Sequence, residues 1–285
     1  FVNVTAQALG PNAIPGKVAL GDFNNDGLVD IYSAGRLWRN TGTGFMNDPA
    51  GAPLHNDGIF GDYDKDGFLD FFSYESGKFW HNNAGSSFTY QGQLYPARSD
   101  TVAIPPNSRG ATWGDLNGDT YPDLYVGGGE YWPSAYYNDR TFMNNQDGTF
   151  TETLITAGQP RPARGITAAD WDQDGDLDVY VSNYRLEPNQ LRRNDGNGNL
   201  SDVAGSHNAT ASTGHSIGSV FGDFNNDGLL DIFAGNFAHP GQPQSRFLLN
   251  NGPTSDYTFT DTGTKGVTWV ESYSSPTAGD IDNDG

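Results

Sequence analysis

One nine-residue string recurs six times along this 285-residue chain, and it constrains the fold more than any other feature of the sequence. The copies read DFNNDGLVD, DYDKDGFLD, DLNGDTYPD, DWDQDGDLD, DFNNDGLLD and a shorter last copy, DIDNDG. They start, at intervals of 40 to 57 residues, at Asp22, Asp62, Asp115, Asp170, Asp223 and Asp280. Similarity at this period indicates tandem copies of one supersecondary unit.

Short strand-like segments flank every string. A segment such as KVAL or GATW precedes it, and a second apolar segment, such as Ile31-Tyr32 or Phe71-Phe72, follows it. An Asn-rich turn and one more short strand complete each unit, with an alternation of period two and no helical periodicity. Four-stranded units of this length in tandem are typical of a β-propeller. We therefore predict an all-β chain that forms a single β-propeller domain over residues 1–285, with five complete repeats whose hairpin loops are 22–30, 62–70, 115–123, 170–178 and 223–231.

The string also provides a set of oxygen ligands. Side-chain oxygens at positions 1, 3, 5 and 9, a backbone carbonyl at position 7 and a sharp turn at position 6 suit a hard cation with six to eight ligands, which is calcium. The predicted side-chain ligands are Asp22, Asn24, Asp26, Asp30, Asp62, Asp64, Asp66, Asp70, Asp115, Asn117, Asp119, Asp123, Asp170, Asp172, Asp174, Asp178, Asp223, Asn225, Asp227 and Asp231. The predicted carbonyl ligands belong to Leu28, Phe68, Tyr121, Asp176 and Leu229. A sixth site begins with Asp280, Asp282 and Asp284, so we expect five calcium ions, or six where that site is completed.

An EF-hand starts with a similar string, but it requires a Glu at position 12 and flanking helices. Position 12 here holds Ser33, Ser73, Val126, Val181 and Ala234, and strand-like segments flank each loop. The unit GDFNNDGLVDI, followed by the Asn-rich turn, instead resembles the FG-GAP/VCBS repeats of integrin α-subunit propellers, of proteins similar to cartilage acidic protein, and of related secreted lectins and polysaccharide-acting enzymes. The resemblance covers essentially the whole chain. It implies a ring of usually seven blades, sometimes six or eight, with calcium between the first and second strands, and it implies no particular activity.

Net charge narrows the choice of partners. The chain holds 15 Lys and Arg against 35 Asp and Glu, a formal charge of −20. Such a charge excludes a nucleic acid held through its phosphates and electrostatic docking on an anionic membrane. No apolar run approaches the length of a membrane span, which argues against membrane insertion. Millimolar extracellular calcium fills sites of this kind whereas cytosolic calcium does not, so we expect a secreted protein, with Asn3, Asn199 and Asn208 as glycosylation candidates.

A ligand-binding face is expected opposite the calcium hairpins, where the longest connections occur. We predict that Trp132, Tyr136, Tyr137, Arg109 and Arg164 contribute to it, because exposed aromatic rings beside Arg suit a sugar or a docking protein. The alternative for each ring is packing between blades. The G-x-S-x-G match at residues 214–218 leads into a strand rather than a helix, so no nucleophile elbow and no catalytic residue is predicted.

The leading hypothesis is a secreted, calcium-stabilised binding or adhesion module for a glycan or an extracellular protein. Two alternatives stay open: a polysaccharide lyase or sugar dehydratase on the same propeller, and a structural subunit of an extracellular assembly or filament. Residues 1–5 match a fourth strand and Ser275–Gly279 a first strand. We therefore expect residues 1–5 to form the outer strand of the closing blade. Either a continuation of the chain or a neighbouring subunit then supplies the missing strands, the latter through self-association at unfinished blade edges.

Overall fold

The computed structural model describes residues 17–95, 109–131, 133, 135–155, 160–268 and 276–279. Over these residues the chain forms five four-stranded antiparallel sheets and one additional two-stranded hairpin, and the predicted all-β propeller fold is confirmed with five blades. The only helical elements described are two short 3-10 turns, Pro49–Gly51 and Pro253–Ser255. The predictions for residues 1–5, Asn3, Trp132, Asp280, Asp282 and Asp284 lie outside the described residues.

The described residues group into two compact units, one within 1–98 and 144–150 and the other within 99–143 and 151–285. The prediction of a single domain over 1–285 stays a prediction. The first two blades belong to the first unit. Their strands, in chain order, are β1 Val18–Gly21, β2 Asp30–Ser33, β3 Arg36–Asn40, β4 Phe45–Asp48, β5 Ile59–Gly61, β6 Asp70–Ser73, β7 Lys78–Asn82 and β8 Phe88–Gln93.

The other three blades repeat the same order, in which each strand pairs with the next one of the blade. Blade 3 also carries the small hairpin β11–β12 between its second and third strands. The strands are β9 Ala111–Gly114, β10 Asp123–Val126, β11 Glu130–Tyr131, β12 Ala135–Tyr136, β13 Arg140–Asn144, β14 Phe150–Leu154, β15 Ala163–Ala169, β16 Asp178–Asn183, β17 Gln190–Asn194, β18 Leu200–Asp202, β19 Ser216–Gly222, β20 Asp231–Asn236, β21 Arg246–Asn250 and β22 Phe259–Asp261.

The nine-residue string is the hairpin connection between the first and second strands of every blade. The residue before position 1 pairs with the Asp at position 9, as in Gly21 with Asp30 and Gly222 with Asp231. The second strands are buried along their whole length in β6, β10 and β16, which explains why they read as continuous apolar runs. The predicted boundary between string and strand therefore matches the observed one.

Position 2 of the string anchors four of the five described loops in the apolar core, whereas Phe224 in the fifth loop is 39% exposed. Phe23, Tyr63, Leu116 and Trp171 are between 0% and 6% exposed. The Trp171 ring lies 5.6 Å from the ring of Phe259 on the outer strand of blade 5. A large apolar side chain beside the first Asp therefore fixes the loop to the core, and this packing holds the backbone next to the ligand-bearing positions in place.

An Asn at the end of the third strand connects successive blades, and we call this side chain the Asn clasp. Its Nδ2 group donates to the carbonyl at position 2 of the preceding blade's string, and its Oδ1 accepts a backbone N–H of the following turn. The four clasp bonds are Asn82 to Phe23 O at 2.7 Å, Asn144 to Tyr63 O at 2.7 Å, Asn194 to Leu116 O at 2.8 Å and Asn250 to Trp171 O at 3.0 Å. Each clasp thus ties one hairpin loop to a neighbouring sheet.

Candidate metal centres in the hairpin loops

All five described hairpin loops adopt one backbone conformation. Positions 4 and 6 have positive φ angles in every loop, for example 56° at Asn25 and 84° at Gly27. Glycine tolerates this conformation at little cost, which explains the Gly at position 6 in four of the five described loops. In the third loop Gly118 stands at position 4 and Thr120, with φ of 73°, stands at position 6. A β-branched residue in this region is strained, so the third loop departs from the others where the sequence does.

Backbone N–H groups orient the acidic side chains. In the first loop the Asp22 carboxylate accepts from the N–H groups of Asp26 at 3.1 Å and Gly27 at 2.7 Å, and Asp26 accepts from Leu28 at 3.0 Å. The same pattern recurs in the second, third, fourth and fifth loops. The loop itself therefore holds these carboxylates in place before any ligand binds.

The Asp at position 9 is the most buried member of each loop. Asp30, Asp70, Asp123, Asp178 and Asp231 are 0% or 1% exposed. The carboxylate of Asp70 accepts the N–H of Tyr63 at 3.1 Å and the N–H of the clasp residue Asn82 at 2.8 Å. Position 9 consequently links the hairpin loop, the second strand and the third strand in one hydrogen-bonded unit.

Three groups of side chains bring possible ligand atoms within 4.8 Å of one another among the described residues. They are Asp62 with Asp64 and Asp66, Asp64 with Asp70 and His81, and Asp170 with Asp172 and Asp178. These acidic clusters, in the second and fourth loops, can hold a metal ion. Hard oxygen donors at this spacing fit Ca²⁺ better than a softer metal.

The fourth loop also contains buried carboxylate oxygens that lack a well-formed hydrogen bond. Both Oδ atoms of Asp172 and Oδ2 of Asp178 are buried and accept no hydrogen bond of normal geometry from the described residues. The closest cation is the guanidinium of Arg193, whose Nη2 lies 2.6 Å from Asp172 Oδ2. Buried carboxylates of this kind are costly unless a cation compensates them, and a divalent ion would do so for the whole cluster.

Burial of these carboxylates raises their pKa values. Burial, together with the negative charges of Asp64 and Asp66, raises the pKa of Asp70 to about 8 in spite of the backbone hydrogen bond from Asn82. Burial likewise raises the pKa of Asp178 to about 8, with Asp172 and Asp174 adding to the effect. A cation in the loop would favour the ionised forms and lower both values.

A basic side chain from the third strand reaches the carboxylates of the two loops that have Asp at position 3. The Nδ1 atom of His81 lies 3.1 Å from Asp64 and 3.3 Å from Asp70, and Arg193 occupies the matching position in blade 4. Sequence reasoning missed both residues. The signal that could have found them is their position directly before the clasp Asn.

Four of the five predicted ligand-binding residues are described, and they lie at the end of the blade 3 and blade 4 sheets opposite the hairpin loops: Arg109, Tyr136, Tyr137 and Arg164. Arg164 lies at the start of β15 and its guanidinium pairs with the buried Glu130, whereas Tyr136 ends the small hairpin that begins with Glu130. Burial lowers the pKa of Arg164, and the nearby positive charge of Arg109 also acts to lower it. The hydroxyl of Tyr137 is buried and has no hydrogen-bond partner among the described residues. Sequence analysis did not single out Glu130, Tyr184, Arg185 and His215, which also contribute to this group.

Of the glycosylation candidates, Asn199 and Asn208 are exposed in turns, so both are accessible. Within the described part of the chain, no helix has the length and apolar character of a membrane span.

Comparison with known proteins identifies the family to which this chain belongs. The FG-GAP-like repeat family matches residues 62–126, 131–181 and 174–234, which is more than half of the chain. Cartilage acidic protein 1 of Mus musculus is 25% identical over 197 residues, covering 63% of this chain and 29% of that protein. The Homo sapiens protein is 30% identical over 113 residues, covering 38% of this chain and 17% of that protein. The chain thus spans less than a third of the length of these curated relatives.

Among solved structures, an Agrocybe aegerita lectin that recognises non-reducing terminal N-acetylglucosamine is similar with a TM-score of 0.58. The sequence identity is 18%, and the match covers 92% of this chain and 71% of the lectin chain. At this identity the likeness supports the propeller fold and nothing about the ligand.

Proposed function

We propose that this chain, which belongs to the family of FG-GAP-like repeat proteins, is an exported, calcium-stabilised binding module that recognises a glycan through the connections opposite its acidic hairpins. The observation that carries the proposal is the difference in chemistry between the two ends of the same sheets. In blade 4, one end of the sheet carries the acidic loop with Asp170 at position 1, and the other end gathers Arg164, Arg185 and Tyr184.

Calcium acts here as a structural ion. The donor set is all oxygen apart from the His81 ring, and calcium ions would offset part of the formal charge of −20. At about 1 mM free calcium and a Kd of order 10⁻⁴ M, each filled loop stabilises the fold by about 1.4 kcal/mol. Five such loops would add about 7 kcal/mol, which is comparable with the whole stability of a typical domain. The calcium concentration that this requires favours an extracellular location.

Glycan recognition is supported by the residue types at the opposite end. The Tyr184 ring lies 5.0 Å from each of two guanidinium carbons, those of Arg164 and Arg185. Aromatic faces beside fixed hydrogen-bond donors are the usual features of saccharide sites. The Agrocybe aegerita lectin of similar fold recognises a terminal sugar, so a propeller of this kind can carry a saccharide site.

A glycan-binding screen tests the proposal. The calcium-loaded chain is applied to an array of neutral and acidic oligosaccharides, and the same preparation is tested after chelation and after calcium is restored. We expect retention of a defined set of glycans that chelation abolishes and calcium recovers. A folded, calcium-loaded chain that retains no glycan would contradict the proposed function, whereas retention that survives chelation would contradict only the role of calcium.

A further inference from the structure

A β-bulge at the start of blade 4 directs Arg164 out of the sheet. The register between β15 and β16 shifts between Ala163 and Gly165, so that Arg164 is the residue without a partner in the ladder. The equivalent shift in blade 5 lies between Ser216 and Gly218. Bulges change the direction of a side chain and are frequent beside binding sites. The irregular backbone at this position therefore determines the direction in which the Arg164 side chain leaves the strand.

Glu130 holds Arg164 and Arg185 together. Its side chain is 7% exposed, and its two oxygens pair with different cations. Oε1 accepts from Nη2 of Arg164, and Oε2 accepts from Nε of Arg185 at 3.0 Å. The buried Glu130 carboxylate already holds the guanidinium groups of Arg164 and Arg185 in place. Both arginines therefore lose little further conformational freedom when a ligand binds.

Tyr184 and His215 form an aromatic surface beside these guanidiniums. The Tyr184 ring is 4.5 Å from the His215 ring and lies under both Arg164 and Arg185. Nδ1 of His215 accepts the backbone N–H of Arg185 at 3.2 Å, which leaves Nε2 as the donor of a neutral ring. The Tyr136 hydroxyl is near enough to Glu130 and Arg185 for their charges to affect it.

The charges in this group favour a ligand with few negative charges. The guanidiniums of Arg164 and Arg185 share the single carboxylate of Glu130. Arg109 lies near Arg164, and Glu187 lies near Tyr136. The rest of the chain is strongly acidic and repels a dense polyanion. A single carboxylate on each bound sugar satisfies both conditions.

We propose that Arg164, Arg185, Tyr184 and His215 form a site for an acidic saccharide, a sugar ring that carries one carboxylate. The guanidinium forks bind the carboxylate, Tyr184 packs against the sugar ring, and Glu130 positions both arginines without touching the ligand. This inference rests on the proposed glycan-binding function and specifies its substrate class. The carboxylate can come from a hexuronate within a polysaccharide or from a terminal sialic acid, and the test separates these sources.

Titration calorimetry of the calcium-loaded full chain tests this site. The probes are a galacturonic acid oligosaccharide, the same oligosaccharide with its carboxylates reduced, sialyllactose and lactose. We expect binding of one or both acidic probes and at least tenfold weaker binding of their neutral counterparts. Arg185→Ala should weaken binding of the acidic probe by about tenfold to a hundredfold, because it removes charge-assisted hydrogen bonds.

Three variants serve as controls. Arg185→Lys keeps the charge and loses the fork, so its affinity should fall between those of the wild type and Arg185→Ala. Tyr90→Phe removes the hydroxyl of an exposed ring on β8, outside the proposed site, and should bind as the wild type does. Lys265→Ala removes an exposed cation on the turn after β22 and should leave affinity within about twofold. A thermal melt of each variant checks that it is folded.

Two results overturn the inference. If neutral probes bind as tightly as acidic ones and Arg185→Ala changes neither, the acidic-saccharide site is wrong while glycan binding stands. If no probe binds and the glycan screen is also negative, the proposed function is wrong as well.

Discussion

The Asn clasp of blade 5 should contribute more to stability than any exposed Asn beside it. Asn250 is 4% exposed, and its Nδ2 donates to Trp171 O at 3.0 Å and Leu230 O at 3.2 Å. Its Oδ1 accepts the N–H of Gly252 at 3.0 Å. Replacement by Ala removes all three bonds and leaves buried polar groups without partners.

The expected loss follows from these bonds. Each hydrogen bond contributes about 1 kcal/mol net, so Asn250→Ala should lower the free energy of unfolding by about 3 kcal/mol, and by more where the carbonyls are left unsatisfied. For a chain of this size that corresponds to a fall of about 6 to 12 °C in Tm. The neighbouring Asn251 is exposed and contacts Thr258 at 3.3 Å and Thr260 at 2.9 Å, so Asn251→Ala should cost less than about 1 kcal/mol.

Urea denaturation at saturating calcium measures both variants. Tryptophan fluorescence reports the transition directly, because Trp171 lies at the clasp itself. Equal losses for Asn250→Ala and Asn251→Ala would refute the reasoning that the clasp holds the loop to the next sheet. A smaller m-value in either variant would show a change in the unfolded or native ensemble and would require a second probe.

Three further predictions concern the hairpin loops. Thr120→Gly should stabilise the chain by about 1 kcal/mol because it relieves a positive φ of 73°, and a lower unfolding midpoint in urea would contradict this. Calorimetric titration with calcium should show a larger loss of affinity for Asp172→Ala, which removes a charged ligand, than for Asn117→Ala. Metal-free chain prepared by dialysis should lose stability between about pH 4 and pH 8, because Asp70 and Asp178 keep their protons to about pH 8 when folded and ionise near pH 4 when unfolded. Stability that rises over this range would contradict the raised pKa values.

Much of the fold could be predicted from the sequence because its determinants are local. The string alone specifies the hairpin, its glycine at a positive φ angle and the alternation of its carboxylates. The same locality explains why the pairing of Gly21 with Asp30 agrees with the predicted loop boundary. The family model then matches the repeats that carry this string.

The remaining features depend on residues far apart in the chain. The clasp joins Asn82 to Phe23 and Asn250 to Trp171, pairs separated by 59 and 79 residues, and in the sequence the Asn-rich segment reads only as a turn. The cluster around Glu130 joins side chains 34 and 55 residues away. The bulge that directs Arg164 has no sequence signal beyond an adjacent glycine.

The most direct test of the account is a pair of melts of the same preparation, metal-free and at 1 mM calcium, with the bound ions counted by native mass spectrometry. The account predicts five bound calcium ions, and a Tm about 14 to 28 °C higher with calcium, from about 7 kcal/mol of binding energy. A chain that binds no calcium, or whose Tm is unchanged when the metal is shown to be absent, would contradict the claim that the acidic hairpins are calcium sites that hold the blades together.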